Sequence, residues 1–360
     1  MNFKKNNLNF SAPKTILGVG AELKNSLCLL HKNEAILSPN VGDLKTWETY
    51  EKFKEIAQEL ISIRKPDLIV HDLHPDYLST RFALESNFPT IGVQHHKAHI
   101  ASVACENDFR GKVIGIALDG TGFGEDNTVW GGEFFVGKVQ NLERVARFKP
   151  IQLAGGDKAV EEIWRIGLAF LKEAEIDSSK FFKSVPESSK RFVNQMLDKN
   201  FNSIPTSSCG RLFDGVSAIL GLCEKVTFEA EAAIKLEQIA LPNENGFYTF
   251  DLEESGGLTE LSFLQMFREI ENDLSRKATS EISAKFHNTL ALGIAKVVDR
   301  IVVATKIKTV ALSGGCFQNK ILFKKLTEIL SKNYTVLTHS NVPTNDCGIA
   351  LGQTFLMIND

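Results

Sequence analysis

The sequence predicts an α/β protein of two lobes, each opening on a meander of strands and continuing with alternating helix and strand. Three observations point that way. An apolar run at 16–22 ends in small residues and is followed by short apolar runs at 27–30 and 35–37, the pattern of an antiparallel meander. The same arrangement restarts at 113–119, breaks at Asp119-Gly120-Thr121-Gly122 and resumes at 128–136, where Trp130, Phe134 and Phe135 suit a buried strand. With 360 residues, 43% of them hydrophobic, the chain can also fill two cores.

The elements follow in order. Trp47–Ile63 places Tyr50, Phe53, Ile56, Ala57, Leu60 and Ile61 at helical spacing, and Pro66 ends the run. Strands are predicted at 68–71 and Thr90–Val93, with a helix after the second. Farther on, 157–171, 187–198, 213–222, 229–238 and 261–274 read as helices, 281–305 as a long amphipathic helix, and 309–312 as a strand before a helical pattern at 317–330. The stretch 241–257, with Pro, Asn and three glycines, reads as an exposed connection. The repeated plan is that of the two-lobed actin, sugar kinase and heat-shock ATPase fold. A flexible tail is expected over 1–12, an N-terminal lobe over 13–110 and a C-terminal lobe over 111–360, its last helix packing back on the first lobe.

Composition narrows the functional classes. A formal net charge of -3 argues against a nucleic-acid partner, and no apolar run approaches the roughly 20 residues of a membrane span. Residues 1–10 lack the apolar core of a secretory signal, so a cytoplasmic location is expected. The six cysteines contain no CxxC pair, which fits neither a zinc ribbon nor a disulfide framework.

Four segments carry the chemistry. His95 and His99 stand four apart, so on a helix their imidazoles share a face and can grip one cation. By itself the spacing also suits polar helix residues with no metal. Asp119 and Asp346 lie in glycine-containing turns, where a carboxylate can face a crevice or merely cap the turn. Two imidazoles with two carboxylates favour Fe(II) or Zn(II) over magnesium. The turns at 119–124, with Gly120 and Gly122, and at 313–315, with Gly314 and Gly315, each follow a strand and can hold nucleotide phosphates, or serve as tight turns alone. In the segment Thr206-Ser207-Ser208-Cys209-Gly210-Arg211, a glycine and hydroxyls precede a helix that carries Asp214, a candidate for ribose hydroxyls; the serines read first as caps. Gly155-Gly156-Asp157-Lys158 is a comparable loop, or a solvated turn.

The strings VQHHKAH, ALDGTGFGEDNTVWGGEF, GGDKAV, TSSCGRLFDGVSAILGL, FHNTLA, LSGGCFQN and VPTNDCGIALGQ resemble the C-terminal domain of the HypF family, the hydrogenase maturation carbamoyltransferases. That family is related to the tRNA threonylcarbamoyladenosine synthases and to antibiotic O-carbamoyltransferases. The resemblance runs from about Ile16 to the C-terminus. It implies carbamoyl transfer from carbamoyl-adenylate to the C-terminal cysteine of a HypE-like acceptor. It implies metal ligands at His95, His99, Asp119 and Asp346, and nucleotide contacts at Gly210, Asp214, Gly314, Gly315 and Asn319, the last near adenine. The catalytic set would then be His95, His99 and Asp119, with AMP or ATP as the bound nucleotide.

Departures from the family pattern shape the expectation. Acylphosphatase, zinc-finger and adenylate-forming segments, usual ahead of this region, are not found, so a separate adenylate-forming protein is expected to supply the carbamoyl-adenylate. Lys97 stands where relatives often carry a third histidine, and Ala230 and Cys347 replace glycines at positions where they would crowd the site. Two other functions share the same core: carbamoyl transfer to a small-molecule hydroxyl or amine, and nucleotide binding without catalysis.

Overall fold

In the computed structural model, which describes residues 3–358, two sheets divide the chain. The first contains β1 (Lys4–Gly18), β2 (Cys28–Leu37), β3 (Leu68–Asp72) and β4 (Thr90–Val93) in the order β2-β1-β3-β4. The β1–β2 pair is antiparallel, and β1, β3 and β4 run parallel. Helices α1 (Trp47–Ile63), α2 (Leu78–Glu85) and α3 (His95–Glu106) accompany them. In α1 the Thr46 side chain caps the start, and Phe53, Ile56, Ala57 and Leu60 form the buried face.

The expected flexible segment over 1–12 is instead paired strand from Lys4, which stands opposite Leu37. Phe10 and Ala12 are buried between exposed neighbours, the alternation of a half-buried strand, and Phe10 packs on Phe355 with ring centroids 5.1 Å apart. The runs at 27–30 and 35–37 belong to the single strand β2.

The second sheet contains β5 (Lys112–Phe123), β6 (Val129–Lys138), β7 (Asn141–Phe148), β8 (Ile151–Ala154), β9 (Ser203–Thr206), β10 (Asp251–Ser255), β11 (Leu258–Ser262), β12 (Thr309–Ser313) and β13 (Thr335–Leu337). Its main order is β10-β11-β7-β6-β5-β12-β13. Around it lie α4 (Lys158–Glu161), α5 (Trp164–Glu173), α6 (Glu187–Lys199), α7 (Cys209–Ile219), α8 (Glu231–Ile239), α9 (Leu264–Asp273), α10 (Thr279–Thr305), α11 (Lys320–Leu330) and α12 (Ile349–Leu356).

Three expected elements are redrawn. The helix predicted at 157–171 is two helices, because Glu162 leaves the helical region (φ -94°, ψ 73°) between α4 and α5. The helix predicted at 261–274 begins only at Leu264, because Leu261 and Ser262 end the strand β11. The predicted loop over 241–257 contains β10, which Gly256 and Gly257, both at positive φ, turn back onto β11.

One core joins the lobes. Ala98, Ile100 and Ala101 of α3 pack with Val113 and Ala117 of β5, Ile16 and Leu30 of the first sheet, and Ile349, Ala350 and Phe355 of α12. Helix α12 crosses α3 so closely that a Cβ at Gly352 would lie 1.8 Å from the Ala98 carbonyl oxygen. The Gln353 side chain accepts from the Gly20 amide (2.8 Å) and donates to its carbonyl (3.1 Å), tying α12 to the end of β1. Among the described residues no helix is long and apolar enough to cross a membrane.

Candidate metal centre and adjoining cleft

The site forms where the carboxyl ends of three strands meet a bulge in a fourth, the position at which parallel α/β sheets open a crevice. In the first lobe, β3 ends at Asp72 beside Val93 of β4, and the chain then enters α3 at His95. Gln94 caps that helix by accepting from the Lys97 amide at 3.0 Å. In the second lobe, β12 runs parallel to β5, with Ser313 opposite Ala117, so residues 313–315 emerge beside Asp119.

Asp119 owes its direction to a bulge rather than to the turn predicted at 119–122. The ladder passes from Leu118 opposite Gly132 to Gly122 opposite Trp130, so residues 119–121 face the single Gly131. The strand then continues to Phe123, and the reversal lies at Gly124–Asn127, where the Gly124 amide donates to Thr128 O at 2.9 Å. One Asp119 oxygen, Oδ1, accepts from the amides of Gly120 (2.8 Å) and Gly315 (3.2 Å). The other, Oδ2, lies 3.3 Å from His95 Nε2 and 3.2 Å from His99 Nε2.

Asp346 completes the group from the 3-10 turn that precedes α12, its Oδ1 3.8 Å from His95 Nε2 and 3.6 Å from His99 Nε2. One ligand atom from each of His95, His99, Asp119 and Asp346 lies within 4.8 Å of all the others. A tetrahedral ion with bonds of about 2.0–2.1 Å would space its ligand atoms by about 3.3 Å, so the donor set fits one ion of the iron or zinc type.

Electrostatics follow from that convergence. Burial alone would lower His95, but the carboxylates of Asp72, Asp119 and Asp346 overcome it and hold the ring well above its ordinary pKa. His99 is raised in the same way, by Asp119 and Asp346 acting against burial. Burial would raise Asp119, yet the two imidazoles hold it well below the carboxylate range. A cation entering here would replace protons held by the two rings.

Sequence reading missed Asp72. Its Oδ2 accepts from His95 Nδ1 at 2.7 Å, which keeps a proton on Nδ1 and directs Nε2, the nitrogen at which a cation would replace a proton, toward the ligand cluster. The available signal was a carboxylate at the carboxyl end of a parallel strand, one residue beyond the predicted one. His96, by contrast, packs against Gly122 and stays neutral because burial pushes its pKa far down.

A cleft of about 330 Å³ adjoins the cluster, at the small end of the range for small-molecule sites and of the size a mononucleotide needs. Asp119, Gly120, Gly210, Asp214, Gly315 and Asn319 line it, so Asp119 belongs to both the cluster and the cleft. The amide roles differ from expectation. Gly120 and Gly315 donate to Asp119, and Gly314, at φ 112°, donates to Thr344 O, so these three amides are already taken up. At the start of α7, Ser208 caps the helix by accepting from the Arg211 amide and Gly210 lines the cleft.

Asp214 accepts from Arg211 Nε at 2.6 Å. Asn319 caps α11 through Oδ1 and donates from Nδ2 to His287 Nε2 at 3.0 Å. His287, lowered to about 4 by burial, is therefore a satisfied core histidine that braces Asn319. Three predicted nucleotide contacts are not among the cleft-lining residues, Gly314, Asp157 and Gly122. Asp157 is exposed where the chain enters α4, and Gly122 packs under His95 and His96. Lys97 pairs with Glu125 at 2.8 Å instead of facing the cluster.

Residues 11–106 match the HypF Kae1-like domain, and residues 115–353 match the second subdomain of the carbamoyltransferase Kae1-like domain. The chain belongs to the HypF Kae1-like family. It is similar to carbamoyltransferase HypF of Synechocystis, 34% identical over 367 residues that cover 96% of this chain and 47% of that protein. A carbamoyltransferase HypF homolog of Cupriavidus necator is 33% identical over 95% of this chain and 91% of its own length. The crystal structure of full-length HypF in its phosphate- and nucleotide-bound form superposes with a TM-score of 0.94 at 35% identity, over 97% of this chain and 47% of that one. The chain thus spans about half the length of full HypF proteins. The fold is the two-lobed, actin-like α/β arrangement expected from the sequence.

Proposed function

We propose that this HypF-like chain is a carbamoyltransferase of hydrogenase maturation, moving a carbamoyl group from carbamoyl-adenylate to a cysteine of a HypE-like acceptor. The observation that carries the reading is Asp119, which faces the two histidines with one oxygen and lines the nucleotide-sized cleft beside them. Family membership supplies the reaction class, and the cluster supplies a chemical need for it.

His95, His99, Asp119 and Asp346 would hold Fe(II) or Zn(II), which when bound supplies Lewis acidity toward the carbamoyl or phosphoryl oxygens. The protein's own part is positional. The start of α7 and Gly210 receive the adenylate phosphate, and Asp214 with Arg211 stands on the cleft wall for the ribose. At the end of the cleft that meets the cluster, the buried His95, His99 and Asp119 keep water from the mixed anhydride. The acceptor thiol gives its proton to solvent, the S–C bond forms, the anhydride C–O bond breaks, and AMP leaves with the electron pair. An adenylate-forming domain or protein supplies the donor in this scheme.

The test combines the chain with carbamoyl phosphate, ATP, an adenylate-forming domain and a HypE-like acceptor, and weighs the acceptor. The expected result is one added carbamoyl group, absent when the chain is omitted. Transfer to a small amine or alcohol with no acceptor adduct would overturn the acceptor assignment. Nucleotide binding with no transfer to any acceptor would overturn the enzyme reading.

A further inference from the structure

We infer that Glu106, acting through His339 and Ser313, fixes the tautomer of His99 and at the same time clamps the loop that carries Asp346. The inference rests on the metal-site reading above and adds three positioning residues to it.

His95 has a carboxylate directly behind it, Asp72, whereas His99 has none. Behind His99 a chain of hydrogen bonds leads away from the cluster. His99 Nδ1 lies 3.3 Å from Ser313 Oγ, which lies 2.9 Å from His339 Nε2, and His339 Nδ1 lies 2.9 Å from Glu106 Oε2. Ser313 and His99 are fully buried, and the side chains of His339 and Glu106 are each only 6% exposed.

The direction of every bond follows from the far end. Burial would raise the Glu106 pKa, but the His339 ring and the amides of Asn341 and Ser340 pull it down to about 2, so the group is an ionised acceptor. Glu106, as an acceptor, takes the Nδ1–H of His339, and a ring that carries that one proton presents a bare Nε2 to Ser313. Bare Nε2 must accept, so the Ser313 hydroxyl donates to it. The Ser313 oxygen then accepts from His99 Nδ1–H. With Nδ1–H fixed, Nε2, aimed at Asp119 and Asp346, is the nitrogen whose proton a cation displaces, the tautomer that ligates a metal. The relay thus does for His99 what Asp72 does for His95.

Glu106 has a second task. Its Oε1 accepts from the Ser340 amide and hydroxyl, both at 2.9 Å, from the Asn341 amide and from the Val342 amide at 3.3 Å. That loop leads to Thr344, which is bonded to Gly314, and then to Asp346. Since Glu106 ends the same helix that begins with His95 and His99, one carboxylate sets the register of three ligands.

The test measures zinc(II) affinity by chelator competition, together with the visible absorption spectrum of the cobalt(II) form. Ser313→Ala and His339→Leu should each weaken binding by about 10–100-fold and shift the cobalt bands. The double variant should lose no more than the worse single, because both break one chain. His339→Gln, whose amide donates at one end and accepts at the other, should recover most of the affinity. Thermal melting checks folding, and if His339→Leu does not fold, Ser313→Ala and His339→Gln decide.

Parent-like affinity in Ser313→Ala, or equal loss in His339→Leu and His339→Gln, would overturn the relay while leaving the metal site standing. If the unsubstituted chain takes up neither zinc(II) nor cobalt(II), the metal reading itself fails and the relay falls with it.

Discussion

Ala230 holds a left-handed backbone, φ 61° and ψ 13°, at the start of α8 on the wall of the cleft. Such a conformation strains any residue with a Cβ by about 1–2 kcal/mol, partly offset by the extra freedom glycine has when unfolded. Ala230→Gly should therefore raise stability by about 0.5–1 kcal/mol in urea denaturation, and a loss of stability would contradict the strain. Cys347 is different: it is not among the non-glycine residues at positive φ, and its carbonyl accepts from Ser26 of the first lobe at 2.7 Å. For Asp72, the predicted outcome of Asp72→Asn is a 10–100-fold weaker metal affinity by chelator competition with folding retained. Unchanged affinity would show that its bond to His95 does not matter. At this scale the grouping of His95, His99, Asp119 and Asp346 was legible from helix spacing and glycine turns taken with the family resemblance, and the structure brings the four together. Asp72, Glu106 and His339 act through hydrogen bonds between segments remote in sequence, which no local pattern encodes.

Among elements, the α3–α12 crossing bears most directly on the site, since α3 carries both histidines and α12 follows Asp346. Gly352→Ala would press a methyl against the Ala98 carbonyl, where neither backbone can yield, and should destabilise by about 3 kcal/mol in a denaturant titration. Near-parent stability would mean that the helices separate freely. The α3 terminus makes a further prediction about acid. Glu106 ordinarily ionises near 4.5 but does so at about 2 when folded. A depressed folded value stabilises the protein above the unfolded value, and that contribution fades as pH falls from about 4.5 toward 2. In melts across that range, Glu106→Gln should flatten the acid decline relative to the parent; parallel curves would contradict it. Helices such as α1 were legible from periodicity. Strand β10 was not, because Asp251–Ser255 is polar and exposed at the sheet edge and owes its form to pairing with β11.

Across the whole molecule, the two sheets bring the strand ends at residues 72, 93 and 313 and the β5 bulge at residue 119 to one crevice, with one apolar cluster running between them. The repeated meander made the two-lobed class legible. The return of the last helix to the first lobe was expected as well, and α12 packs on α3 and the end of β1; what no pattern showed is the bonding that fixes it, in which the Gln353 side chain imitates a strand partner of Gly20. Full HypF proteins are about twice as long as this chain, which places its donor supply and acceptor among proposals that reconstitution decides. The most direct test is an anomalous diffraction map from crystals grown with zinc(II). It should show a single strong peak about 2.0–2.2 Å from His95 Nε2, His99 Nε2, Asp119 Oδ2 and Asp346 Oδ1. A peak away from those four atoms, or none at saturating zinc, would contradict the account.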